Sequence, residues 1–146
     1  MSVTMDILEG FAAEISGVQD DILWTPDAAA GGIVMLTMPD SPDRIVVLNL
    51  IPQSDDPVLP MGTATVQVAA RGTRGNALDV YTILDPIFTR MHGLTDRTWG
   101  SVHVCDIARY SSIPMGQDAV VRNEAIDKYT MNLDYPGTTA RPSSGF

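Results

Sequence analysis

His103 and Cys105 are the residues whose types and spacing could do nucleophilic chemistry. Two apart on a stretch with strand character, they share a face with Ser101, and a thiolate beside an imidazole is the core of a Cys/His mechanism. No third orienting group, oxyanion donors or glycine-rich turn is recognisable around them, so the plainer reading is a pair of sheet residues. His92, at the expected end of a helix, sits where the helix dipole favours a charged imidazole. Asp20-Asp21 and Asp55-Asp56 are adjacent carboxylates, but there is no HExxH, paired CxxC or EF-hand spacing, so they read as loop residues. No metal or other cofactor is expected, and no enzymatic activity. Arg71-Gly72-Thr73-Arg74-Gly75 precedes a helix and could turn amides toward an anion, yet it matches neither the P-loop nor the dinucleotide fingerprint. It reads as a strand-to-helix turn with two exposed arginines, or as arginines that pair with acidic groups of another subunit.

These residues need elements to hold them. Ile7, Leu8, Phe11, Ile15 and Val18 recur at helical spacing, so residues 5–18 are expected to form an amphipathic helix. Residues 25–43 are rich in turn formers around Ile33-Val34-Met35-Leu36 and predict an irregular connection with a short strand. Residues 44–52 are apolar on both faces, as in a strand covered on both sides; residues 53–62 form a loop, and residues 63–71 alternate as a strand with one wet or contacting face. Asn76 is placed to cap a second helix whose stripe is Val80, Leu84, Ile87 and Met91, and which His92-Gly93 ends. Pro86 lies inside that stripe and predicts a kink or break. Residues 99–108 and 125–135 read as antiparallel strands joined by an extended hairpin arm over residues 110–123. The fold class is therefore α+β, an antiparallel sheet of about four strands on two helices. Residues 1–135 form a single domain, and residues 136–146 a C-terminal tail that is either flexible or docked on a partner.

A chain of 146 residues with 45% hydrophobic content can build one core. A net charge of −9 disfavours non-specific attraction to DNA phosphates or anionic membranes. One cysteine excludes an intrachain disulfide, and neither a signal-peptide pattern nor a membrane span is legible.

The stretch Val66-Gln67-Val68-Ala69-Ala70-Arg71-Gly72-Thr73-Arg74-Gly75-Asn76-Ala77-Leu78-Asp79-Val80 resembles the tail terminator proteins of long-tailed bacteriophages. The likeness continues through Leu94-Thr95-Asp96-Arg97-Thr98-Trp99-Gly100, Met115-Gly116-Gln117-Asp118 with Arg122, Asp127-Lys128-Tyr129 and Tyr135-Pro136-Gly137. The resemblance implies a virion protein of the neck: a ring, commonly a hexamer, that caps the head-proximal end of the tail tube and offers a surface to the head connector. Its implied partners are other copies of itself, the major tail tube protein and a head-completion or connector protein. DNA would pass through an acidic lumen without specific binding. Contact residues expected on this reading are Arg71, Gly72, Thr73 and Arg74 at the turn, and Met115, Gly116, Gln117, Asp118 and Arg122 in the arm, with internal pairing of Arg122 to Asp118 as the alternative. Another neck component, such as a stopper, and a small Cys/His enzyme are the competing readings.

Overall fold

A computed structural model describes residues 2–26, 31–55 and 61–135. The tail expected over residues 136–146, and Asp56, lie outside the described residues.

Helix α1, Val3–Ile15, starts where the Ser2 side chain accepts a hydrogen bond from the Met5 amide, and it buries Ile7, Leu8, Phe11, Ala12 and Ile15. Strands β1 (Ile33–Met35), β2 (Ile45–Asp55) and β3 (Met61–Arg71) follow, then helix α2 (Asp79–Met91) and strands β4 (Thr95–Trp99), β5 (Val102–Gln117) and β6 (Asn123–Asp134). The six strands form one sheet in the order β1-β2-β3-β6-β5-β4. β1 runs parallel to β2 and every other pair is antiparallel. The expectation of about four antiparallel strands is thus corrected to a mixed sheet of six. β4 escapes a hydropathy reading because four of its five residues are exposed on an edge strand, where no apolar alternation is needed.

β5 carries the second correction. Its pairing with β6 skips a residue at Cys105, Tyr110 and Met115, so three bulges punctuate one strand. Each inserts an extra residue, shifts the alternation by one and bends the strand, which disguises residues 110–117 as irregular while curling the sheet.

Both helices pack on one face of the sheet. Phe11 sits at the centre, edge-on to Trp99 at 6.2 Å and to Tyr129 at 5.6 Å between ring centroids. Val46 and Leu48 of β2 and Ala64, Val66, Val68 and Ala70 of β3 complete that core. Ile45 and Val47 point the other way into a small cluster with Val34, so the start of β2 is covered on both faces. α2 continues through Pro86 without the expected break. Its buried Ile83, Leu84, Ile87 and Met91 anchor both sides of the proline, and that packing outweighs one lost hydrogen bond. Asn76 does not cap the helix: its side chain accepts from the Leu78 amide at 3.3 Å, an Asx turn that precedes the N-cap at Leu78.

Candidate assembly interface

The turn after β3 is built around Asp43. Arg71, at the end of β3, donates through Nε to the Asp43 carbonyl at 2.9 Å and through a terminal nitrogen to the Pro42 carbonyl at 2.6 Å. Arg74 donates from Nε to Asp43 Oδ1 at 3.1 Å, and Arg122 donates to the same oxygen at 3.2 Å. Three arginines from two distant stretches therefore hold one loop. Burial would raise the Asp43 carboxyl, but hydrogen bonds from Arg74 and Arg122 outweigh it and hold the group below the ordinary carboxylate range. Asp79 secures the other side of the turn, accepting from the Thr73 amide at 2.8 Å and from Arg44 at 3.1 Å. Burial opposes its charge, and the Thr73 amide and Arg44 more than offset that.

The arm is a hairpin whose tip folds back. Asp118 accepts from the amides of Val120 and Arg122, each at 3.0 Å, and from Arg122 Nε at 2.7 Å. The Gly75 amide donates to the Val121 carbonyl at 3.0 Å, which clamps the tip to the turn after β3. β3 pairs with β6 as far as Arg71 opposite Glu124, so the hairpin does not project beyond the sheet.

Of the contact residues expected from sequence, Arg71 is 3% exposed and Arg122 6%. Both guanidinium groups are engaged inside the chain. Gly72 is buried too, and Asp118 is turned inward. Thr73, Arg74, Met115, Gly116 and Gln117 are exposed. The structure does bring turn and arm together: they form one continuous surface, flanked by the exposed Leu78, Val120 and Val121.

His103 and Cys105 each meet a carboxylate. His103 faces Asp96, 3.3 Å away, and Cys105 occupies a bulge with its Sγ 3.7 Å from Asp134 Oδ2. Burial, then Asp134 and the neighbouring carboxylates, push the thiol up, opposite to what a nucleophile needs. The cleft of about 330 Å³ beside Cys105 is lined by Asp55 and Asp134, and the negative charge of Asp134 disfavours a thiolate there. Among the described residues, no three His, Cys, Asp or Glu side chains are placed to hold a metal. His92 stacks on Phe88, and its Nδ1 accepts from the Arg109 amide at 3.0 Å.

A bacteriophage tail terminator family model matches residues 17–135. The chain belongs to this family. The match spans every strand and α2 and leaves out α1. Membership of the tail terminator family makes the chain a structural component of a phage tail, and hence of the virion. A comparison with curated proteins gives no significant match. No helix among the described residues is long and apolar enough to cross a membrane.

One residue that matters in this tail terminator fold carries no local mark in sequence. Asp43 reads as one acid among several in a turn-rich stretch, because the arginines that meet it lie 28, 31 and 79 positions away.

Proposed function

We propose that the chain caps the head-proximal end of a phage tail tube as a ring of copies, ends tube polymerisation and presents a joining surface to the head. The observation that carries the reading is the tail terminator match over residues 17–135, on a fold that leaves one face of its sheet without helices. β1 covers β2 only at Val46–Leu48 and β4 covers β5 only as far as Asp106, so the later parts of β2 and β5 are open edges through which, together with faces and loops, subunits would meet. The turn and hairpin tip, with Arg74, Met115 and Gln117 exposed, supply a rigid surface for the tube protein or the head-completion protein. A net charge of −9 per copy gives an acidic ring through which DNA slides without sticking, because favourable phosphate contacts come from lysine and arginine.

The test is genetic. A phage with this reading frame stopped should make filled heads and overlong tail tubes that do not join. Tails of normal length that fail only at head attachment would assign the chain to a stopper role instead.

A further inference from the structure

The sheet face away from the helices carries a cation, Lys128, with no ion pair among the described residues. Alternation along β6 sends Ala125, Asp127, Tyr129, Met131 and Leu133 to the helices, and Ile126, Lys128 and Thr130 to the opposite side. Lys128 stands between Gln67 of β3 and Ser111 of β5, on the same face as the partly exposed Ile51 and Ile113. Among the described residues, every arginine is engaged within the chain. Arg44 pairs with Asp21 and Asp79, Arg74 and Arg122 with Asp43, Arg97 with Glu14 and Arg109 with Asp127. Arg71 and Arg90 are held by backbone carbonyls. The Lys128 side chain has neither an ion pair nor a hydrogen bond among the described residues.

Free acids lie on the other side of the molecule. Glu9 on α1 and Asp85 on α2 are exposed on the helix layer, and their carboxylates have no partner among the described residues. The two faces are therefore complementary to each other and not to themselves.

We infer that copies of this chain pack head to tail, the helix-free sheet face of one against the helix layer of the next, with Lys128 paired to Glu9 or Asp85 of the neighbour. The inference rests on the ring reading and supplies its contact. Two different faces make a heterologous interface, the kind that closes into a ring when the rotation per step divides a full turn. Like faces meeting would bring lysine against lysine and acid against acid, which costs affinity. An ammonium group desolvated near Ile51 and Ile113 needs an anion, and a chain of −9 supplies one on every neighbour.

The single lysine makes a direct test available. Tails are assembled from a mixture of unlabelled and heavy-nitrogen copies, treated with a zero-length carbodiimide, and the linked peptides sequenced by mass. Within one chain Lys128 and the helix acids lie on opposite sides of the sheet, so such a link joins two copies. The expected result is mixed-isotope peptides joining Lys128 to Glu9 or Asp85. Lys128→Glu should weaken ring formation by about tenfold or more with the monomer's melting unchanged, and Lys128→Arg should preserve it. Lys128 linked to the tube protein, shielded from amine reagents by nuclease-sensitive DNA, or freely labelled in an assembled ring would overturn this inference alone. Tails without the chain would overturn the ring reading with it.

Discussion

Arg122 and Asp118 close the tip of the β5–β6 hairpin through a hydrogen bond of 2.7 Å between Nε and Oδ2. Four positions apart in sequence, they pair within the chain and shape the surface at the tip. Charge reversal at Arg122 is therefore a change to the fold: a glutamate there would face Asp118 and Asp43. Arg122→Glu should lower the melting temperature and speed amide exchange across residues 118–122 by about tenfold or more. Arg74→Glu, at a side chain 59% exposed, should leave melting nearly unchanged and act on assembly.

Acid should loosen the same region first. Asp43, Asp79 and Asp118 all lie below their ordinary values, because hydrogen bonds to the charged form outweigh burial. Asp6 is lowered too, chiefly by the Ser101 hydroxyl and amide. With folded values below unfolded ones, the unfolded chain binds more protons in that window. The stabilisation is complete above pH about 4 and is lost as pH falls through the folded values. Melting temperature against pH should be flat near neutrality and drop below about 4, with exchange at the hairpin tip rising before global unfolding.

Gly10 supplies a test in which packing and helix propensity disagree. It lies within α1, and a Cβ there would come within 2.2 Å of the Trp99 ring. Alanine is favoured over glycine in helices by about 1 kcal/mol, yet forcing the indole aside costs more. Gly10→Ala should destabilise the chain by about 2 kcal/mol net, read from urea midpoints at constant slope. A stabilised variant would show that the helix and the β4–β5 turn are less tightly packed than described.

How much of this was legible in sequence follows from which signals are local. The stripes of α1 and α2 and the alternation of β3 depend on side chains a few positions apart, and they emerge at nearly their observed bounds. Bulges at Cys105, Tyr110 and Met115 spoil the period of β5, and the exposed β4 has no apolar period to read. For the contact surface, residue types were informative and burial was not. Arginine followed by glycine marks a special turn, but whether Arg71 and Arg122 face inward depends on a loop ending at Asp43.

Val121 adopts φ +66°, a conformation costly for a β-branched residue, while its side chain stays exposed. Val121→Gly should raise stability by about 1 kcal/mol. If the tip contacts a partner through this side chain, the same variant should assemble less well, a combination that thermal melting together with tail-joining assays would reveal.

The central claim, that this chain ends a tail tube, is tested most directly by tube length. Purified major tail tube protein of the same phage is polymerised with and without the chain, and lengths are measured by negative-stain electron microscopy. The account expects tubes that stop growing once the chain is added, each with a ring of added density at one end. Continued elongation with bare ends, at any excess of the chain, would contradict it.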